Sequence, residues 1–449
     1  MFGVRPPVAI LALAFLLACM AHPAAVIGAQ EKPKLQILFT NVNVYDGVTP
    51  QLMMDANVLV EGNLIAEVST DPIEAEGATV IDGGGRTLTP GLSDMHVHLQ
   101  LVTAAPSLEF MRAQEVHVRM VPIAEDMLMR GFTTVRDACG NTHGLREAIN
   151  DGTLVGPRII SSGACIGGWS SHADFMADTS VKGQTNVERI GFSTIADGPD
   201  EIREAIRREM RQGASFIKLM IGGGIASTYD PLDVTTMSLE EIKAAVDETE
   251  RWGTYATAHI NTDASVNLAL DAGMRTFEHL LLTSPETMKR VKDEVEMYSI
   301  QTAVVDGLGS NPVFVTPAAV AKAQYVEANA NKAFEAAREL GVPMSFGVDS
   351  YGSLEAFRFN SEAISVRKNL FSNEEILEML FQNNRKLIEM SGARLPYQDG
   401  PLAIIAPGAY ADILLVDGDP TEDVAVFSDW KNKIDLVMKD GKIYKNTLN

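Results

Sequence analysis

The stretch TPGLSDMHVHL, residues 89–99, carries two histidines two positions apart, His96 and His98, at the end of an apolar run. The run has the length and composition of a buried strand. Alternate residues of a strand project to the same side, so both imidazoles can face one point. The spacing therefore predicts that the two rings can bind one cation.

Four further apolar runs contain a polar residue close to their carboxyl ends. A strand buried on both faces should be apolar throughout, so each of these residues breaks the pattern. A single buried histidine is more often a hydrogen-bonded core residue, and a buried lysine usually forms an ion pair. Together with the two histidines of residues 89–99, however, the set indicates a metal site. Its other members are Lys218, His259, His279 and Asp349.

Short apolar runs alternate with amphipathic helical stretches through the middle of the chain, which predicts an α/β fold. Two helices are expected at residues 199–212 and 238–252, the second with a capping box formed by Ser238 and Glu241. Eight strand–helix units allow closure into a (β/α)8 TIM barrel with its functional groups at the carboxyl ends of the strands. The eight runs are the one before His96 and those at residues 131–138, 158–162, 215–221, 255–260, 276–281, 300–305 and 343–348.

Both ends of the chain have a different pattern, with short strands separated by Asp-Gly and Gly-Asn turns. The strands are expected at residues 36–40, 57–61, 64–69, 412–416, 434–439 and 442–444. Two similar ends predict one composite small β-sandwich domain, residues 33–88 plus 402–449, beside a barrel of residues 89–401. The chain length of 449 residues accommodates this plan, because such a barrel takes about 250.

The net charge is −22, which argues against nucleic acid as a partner, because phosphate binding requires a basic surface. Residues 1–29 have the order of a secretory signal, with Arg5, an apolar run at residues 8–20 and small residues after it. The run is too short to span a membrane. We expect an exported protein, periplasmic or secreted. An alternative is a lipoprotein anchored through Cys19, which follows the residues Leu16-Leu17-Ala18.

Cys139 and Cys165 lie at the ends of apolar runs. Buried free cysteines behave as small apolar side chains. The two could form a disulfide in an oxidising compartment, but we expect both to be buried free thiols.

The motifs together resemble the amidohydrolase superfamily, and in particular its peptidase- or prolidase-like branch. The similarity covers the chain beyond the signal. The resemblance rests on six motifs: residues 89–99, FIKLM at 216–220, TAH at 257–259, FEHL at 277–280, SFGVDS at 345–350 and PGAYADILLVDGDP at 407–420.

The resemblance implies a role for each polar residue at a strand end. His96, His98 and Asp349 would hold one divalent metal ion, and His259 and His279 a second. Lys218 would carry a CO2-derived carbamate that bridges both ions. Zinc suits these ligands, although they also accept manganese, cobalt or iron. Asp349 would also transfer the proton from the attacking water to the departing amine, and a homo-oligomer is expected.

Two loop residues are candidates for substrate binding. His172 lies in CIGGWSSHAD at residues 165–174, and Tyr229 lies in IGGGIASTYDP at residues 221–231. The branch commonly has GGHGD where this chain carries the extra residues Trp169-Ser170-Ser171. For both candidates, contact with substrate and plain loop packing stay open.

The expected function is that of an exported metal-dependent hydrolase of an amide bond, in a peptide or an N-acyl amino acid such as an ochratoxin-like compound. Two alternatives remain. The same metals could serve a cyclic-amide hydrolase (imidazolonepropionase-like) or a lactone or organophosphate hydrolase. A non-catalytic binding barrel would be expected to have lost ligands, yet every expected ligand position is filled here.

Overall fold

The computed structural model describes Gly3 and residues 35–175, 181–183, 185–301 and 316–448; apart from Gly3, the predicted signal, with Cys19, lies outside these ranges. The strands are β1 (Gln36–Val44), β2 (Met53–Glu61), β3 (Leu64–Ser69), β4 (Thr79–Asp82), β5 (Thr87–Pro90), β6 (Leu92–Val97), β7 (Phe132–Asp137), β8 (Arg158–Ser161), β9 (Cys165–Gly167), β10 (Ser193–Ile195), β11 (Ile217–Met220), β12 (Ala256–Thr262), β13 (Thr276–Leu282), β14 (Met297–Ile300), β15 (Met344–Phe346), β16 (Ile413–Val416), β17 (Ile434–Lys439) and β18 (Lys442–Asn446).

The α-helices of the described residues pack around and between these strands. They are α1 (Ala113–Met129), α2 (His143–Asn150), α3 (Asn186–Arg189), α4 (Pro199–Arg211), α5 (Leu239–Arg251), α6 (Asp263–Asp271), α7 (Pro285–Glu294), α8 (Pro317–Leu340), α9 (Leu354–Phe357), α10 (Phe359–Val366), α11 (Asn373–Leu377), α12 (Asn384–Glu389), α13 (Ala425–Ser428) and α14 (Trp430–Lys433).

Strands from both ends of the chain form one sheet, in the order β18-β17-β16-β5-β1-β2-β3, with β4 paired to β1. The two ends meet where β16 pairs antiparallel with β5, Ile413 opposite Pro90. Residues from both ends, among them Phe39 and Leu415, fill its apolar core. The predicted composite β domain is confirmed, while its boundaries stay a prediction.

Eight parallel strands form the barrel. β6, β7 and β8 pair in sequence, and so do β11 to β15. The groups are joined on one side by a hydrogen bond from the Ser215 amide to the Ser161 carbonyl, 2.8 Å long, and on the other by one from the His98 amide to the Ser350 carbonyl, 3.0 Å long. The predicted (β/α)8 barrel is confirmed. The capping box predicted at the start of α5 is also present.

The structure corrects three details. The seventh barrel strand begins at Met297 rather than residue 300; residues 302–305 of the predicted run lie outside the described ranges. Residues 165–174 were predicted to form a loop after the third strand. Residues 165–167 instead form strand β9, because they pair with β10 and β11. That pairing brings Cys165 beside Cys139, with Cα atoms 4.9 Å apart, and the two form a disulfide. The expectation of free thiols was wrong.

Within the ranges that the structure describes, no helix has the length and apolar character needed to cross a membrane.

Candidate metal centre

The carboxyl end of β6 places His96 and His98 on the same side of the strand, as their spacing predicts. Their Nε2 atoms are 3.2 Å apart, and both residues are buried. The Nδ1 atom of His96 lies 2.7 Å from a carboxylate oxygen of Glu278. Because that contact engages Nδ1, Nε2 is the nitrogen that His96 presents to its neighbours.

Asp349 follows β15 and reaches both histidines. One carboxylate oxygen lies 3.0 Å from Nε2 of His98 and 3.6 Å from Nε2 of His96. The other lies 4.0 Å from Nδ1 of His279. The Asp349 amide donates a hydrogen bond to the His96 carbonyl, 2.7 Å away. Like the bond between His98 and Ser350, it joins the end of β6 to the residues that follow β15, and it also positions the Asp349 carboxylate.

Three consecutive barrel strands, β11, β12 and β13, contribute the remaining predicted residues. The Lys218 ammonium nitrogen is 3.4 Å from Nε2 of His96. The His279 ring lies 4.9 Å from the His96 ring and 4.4 Å from the His259 ring, measured between centroids. The structure therefore brings the six residues of the predicted metal site into one cluster. His96, His98 and Asp349 lie at or just after the ends of β6 and β15, whereas Lys218, His259 and His279 lie within β11, β12 and β13.

Two members of this cluster have a left-handed backbone. His279 has a φ of 73° and Asp349 a φ of 66°, and Leu280 beside His279 has a φ of 51°. Non-glycine residues seldom adopt this region, and such conformations concentrate at functional sites, where the surrounding structure enforces them. The unusual backbone conformations and the clustered polar side chains thus indicate the same functional site.

Burial determines the charge of the cluster. It lowers the pKa of His96 to about 4 and lowers the pKa values of His259 and His279 well below the usual value. Burial also lowers the pKa of Lys218 to about 8. Near neutral pH the three imidazoles are therefore uncharged, which is the form that binds metals.

The donor set fits a divalent metal. Donor atoms of His96, His279 and Asp349 all lie within 4.8 Å of one another. Among the residues that the structure describes, these three form the one group of side chains close enough together to hold a metal ion. Neutral imidazoles and a carboxylate are zinc ligands, and they also suit other divalent transition metals. The division of the ligands between two ions stays a prediction.

A buried ion pair behind His96 was not predicted from the sequence. One carboxylate oxygen of Glu278 contacts His96, and the other accepts hydrogen bonds from Arg136 and Thr257, each 2.8 Å long. The Arg136 guanidinium stacks on the Phe216 ring, 3.9 Å from its centroid. A carboxylate that binds the outer nitrogen of a ligand histidine fixes its tautomer and ring orientation.

The unpredicted residues had a sequence signal. Glu278 and Arg136 are charged residues inside two short apolar runs, and buried charges are normally paired. Asp94 carries the same signal in the first run. Its carboxylate accepts from the amides of His96 and Val348 and so joins the ends of β6 and β15. The pairings themselves could not be assigned without the fold.

The structure separates the two candidate substrate residues. The His172 ring stacks on the His259 ring at a centroid distance of 4.1 Å, so it lies against the cluster. Tyr229 is 36% exposed, and no polar contact within the described ranges links it to the cluster. Its predicted role has less geometric support than that of His172.

Comparisons with known proteins place the chain among hydrolases. The profile of the Amidohydrolase family matches residues 87–444. Ochratoxinase from Aspergillus niger is 27% identical over 447 residues, covering 94% of this chain and 88% of that protein. A solved amidohydrolase is 35% identical, and a prolidase solved with N-methylphosphonate-L-proline is 31% identical; each has a TM-score of 0.85 and covers 92% of this chain and 100% of its own.

Proposed function

The chain belongs to the amidohydrolase family and is a hydrolase of amide or peptide carbon–nitrogen bonds, and from this premise we propose that its substrates carry a carboxylate beside the scissile amide. Dipeptides and N-acyl amino acids form this class. We propose further that the enzyme is exported and uses two divalent metal ions. The observation that carries the proposal is the convergence of four histidines, Lys218 and Asp349 in one cluster.

The metal-binding residues would be those of the cluster, with zinc as the expected ion. When bound, divalent ions would acidify a water molecule and polarise the scissile carbonyl. The chain contributes a fixed set of donors. Glu278 holds the ring of His96, and the backbone of β6 holds Asp349, so little reorganisation is needed when the substrate binds.

Asp349 would move the proton. Its carboxylate takes a proton from the water as the oxygen–carbon bond forms, and it then gives that proton to the amide nitrogen as the carbon–nitrogen bond breaks. Protonation of the nitrogen is required because a free amide anion is a poor leaving group. Burial raises the pKa of Asp349, but His96, the hydrogen bond with His98 and the nearby Lys218 together outweigh that effect and hold the pKa below its usual value. The carboxylate is thus ionised and ready to accept.

Lys218 would carry a carbamate. Carbamylation requires an unprotonated amine, which attacks CO2, forms a nitrogen–carbon bond and releases a proton. Because burial lowers the pKa of Lys218 to about 8, the amine is partly unprotonated near neutral pH. The product is an anionic carboxylate that can serve as a metal ligand, whereas an ammonium cannot.

Two relatives support the substrate class. One is named for hydrolysis of ochratoxin, and the other is a prolidase solved with a proline derivative, whose ring carries a free carboxylate. We propose that His172 contacts the substrate from its position beside His259 and that Tyr229 contributes from the neighbouring loop.

Export is supported by the Cys139–Cys165 disulfide, because disulfides persist mainly in oxidising compartments. Residues 1–29 would be the signal for export; acylation of Cys19 is the alternative form. A homo-oligomer is proposed from the family resemblance.

An amine-release screen tests the proposal. The zinc-loaded mature protein is assayed on dipeptides and N-acyl amino acids, ochratoxin among them, with lactones and phosphotriesters as controls. We expect turnover of amides with a free carboxylate, and its loss in Asp349→Asn, which keeps the side-chain size but cannot take up the proton. Hydrolysis of lactones or phosphotriesters, together with no hydrolysis of any amide, would overturn the proposed substrate class.

A further inference from the structure

The His172 ring is confined on two sides. One contact is the stacked His259 ring, at 4.1 Å and an interplanar angle of 22°. The other is Gly224, where an added Cβ atom would lie only 2.1 Å from Nδ1 of His172. Even an alanine at position 224 would have to displace the ring. The loop after β11 is therefore shaped around one position of this imidazole.

The same loop fixes the direction in which the ring points. Nδ1 of His172 lies 2.5 Å from the Ser227 hydroxyl and 3.2 Å from a carboxylate oxygen of Asp230. That carboxylate oxygen also accepts a hydrogen bond from the Gly224 amide, 2.6 Å long. Nε2 of His172 has no hydrogen-bond partner within the described ranges. Nδ1 is thus engaged by the loop, while Nε2 is left for another group.

Asp230 is held in turn by a residue from a different element. It is fully buried, and Lys322 of α8 donates to its backbone carbonyl at 2.7 Å and to the carbonyls of Gly224 and Ser227 at 2.9 and 3.1 Å. The Lys322 nitrogen is 3.7 Å from the second carboxylate oxygen of Asp230. The Lys322 ammonium group thus stabilises the loop that carries Asp230 by binding three of its carbonyls.

We infer that Asp230, secured by Lys322, is a positioning residue for hydrolysis: it binds Nδ1 of His172 and so directs Nε2 to the substrate. This inference deepens the proposed function and rests on it. A carboxylate on one imidazole nitrogen fixes both the tautomer and the ring plane, which is how a histidine becomes a precise contact. Neither Asp230 nor Lys322 would touch the substrate.

A loop-bracing role for Asp230 would also explain its burial, and it makes a different prediction. If Asp230 acts through His172, removing its charge has no further effect once His172 is gone. If Asp230 only braces the loop, its effect persists without His172. A double-mutant cycle separates the two roles, because effects of independent sites add while those of coupled sites do not.

The cycle uses the zinc-loaded protein with the amide that the wild type hydrolyses best. We expect Asp230→Asn to lower kcat by about 10- to 100-fold with an intact metal content. In the His172→Gln background the same substitution should change kcat by less than about 2-fold. Asp233→Asn is the matched control, because Asp233 is an exposed carboxylate in the same loop, and it should leave kcat unchanged.

Gly224→Ala provides a second route should Asp230→Asn fold poorly. It keeps the amide that binds Asp230 but displaces the His172 ring, so kcat should fall while metal content stays. Nitrogen NMR of protein labelled with 15N-histidine, with its eight histidines, gives a readout that does not depend on substrate. Asp230→Asn should shift the Nδ1 and Nε2 resonances of His172 away from the wild-type tautomer.

The outcomes distinguish this inference from the proposed function. If no amide is hydrolysed by the wild type, the proposed function fails, and the NMR result still decides whether Asp230 positions His172. If the wild type is active but Asp230→Asn has normal kcat, or lowers kcat equally with and without His172, the inference is overturned. Unchanged His172 resonances in Asp230→Asn would overturn it as well.

Discussion

Lys218 is an unusual residue to find at the centre of a barrel. It is fully buried, and within the described ranges no carboxylate forms an ion pair with it. Its hydrogen-bonding neighbour is Nε2 of His96, which offers no negative charge. A buried ammonium without a paired anion is costly, so such a residue normally loses its charge or gains a partner. Conversion to an anionic ligand between metal ions would resolve this.

Lys218→Ala should therefore abolish amide hydrolysis and remove most of the bound metal. The variant lacks both the amine that would react with CO2 and the ligand that would result. Metal content by plasma mass spectrometry and kcat are the measurements, with circular dichroism to confirm folding. Lys243→Ala, which removes an exposed lysine of α5, is the control. Retention of activity and metal in Lys218→Ala would disprove the bridging role.

Glu278→Gln tests the carboxylate behind His96. The amide can still contact Nδ1 of His96, but it loses the charge that binds Arg136 and stabilises one tautomer. We expect metal affinity, measured by competition with a chelator, to fall by about 10- to 100-fold. Glu286→Gln, at an exposed site on α7, should leave the affinity unchanged. An equal affinity in both variants would show that Glu278 does not position His96.

At the scale of elements, the disulfide links the loop after β7 to the short strand β9. Cys139 and Cys165 are 26 residues apart, and both are fully buried. Closing a loop of this length restricts the unfolded chain. The bond also secures β9, whose continuation carries His172.

Replacing both cysteines by alanine should lower the free energy of unfolding by about 3 kcal/mol, because the unfolded chain regains its freedom. Denaturant unfolding of the wild type and the double variant measures the difference. Under strong reductant the wild type should approach the variant. A double variant as stable as the oxidised wild type would argue against the bond.

The start of α2 holds a buried histidine outside the cluster. Neither ring nitrogen of His143 has a hydrogen-bond partner among the described residues, and burial, with Arg146 nearby, lowers its pKa to about 4. The unfolded chain binds a proton at this residue near pH 6.5, but the folded protein does not. Its contribution to stability is therefore complete above pH 6.5 and is lost as the pH falls towards 4.

His143→Leu should remove that part of the acid sensitivity. Between pH 6.5 and 4.5 the free energy of unfolding of the wild type should fall more steeply than that of the variant, by up to about 1.4 kcal/mol per pH unit. Denaturant curves at several pH values provide the comparison, with pH 8 as the reference where both side chains are uncharged. Parallel pH profiles would show that His143 does not titrate in this way.

At the scale of the whole molecule, the sequence predicted the architecture because strands and helices alternate through its middle and both ends share one β pattern. The six cluster residues could also be found, since each is a polar exception in an apolar strand. Closure of the barrel then brings them together without any further information.

Other features depend on which elements become neighbours. The disulfide requires β9 to lie next to the segment that follows β7, and Asp230 reaches His172 only because one loop folds back against another. No local pattern encodes either contact. Two charged residues within apolar runs indicated that Glu278 and Arg136 would each need a partner. That they pair with each other could be seen only once the barrel had brought their strands together.

We propose that this cluster binds two metal ions and that amide hydrolysis requires both of them. The most direct test of this proposal is metal stoichiometry, measured by plasma mass spectrometry on exhaustively dialysed wild-type protein, alongside amidase activity. We expect about two divalent ions per chain, loss of activity when a chelator removes them, and recovery on adding zinc. A protein that retains no metal, or whose amidase activity is unchanged after the metal is removed, would contradict it.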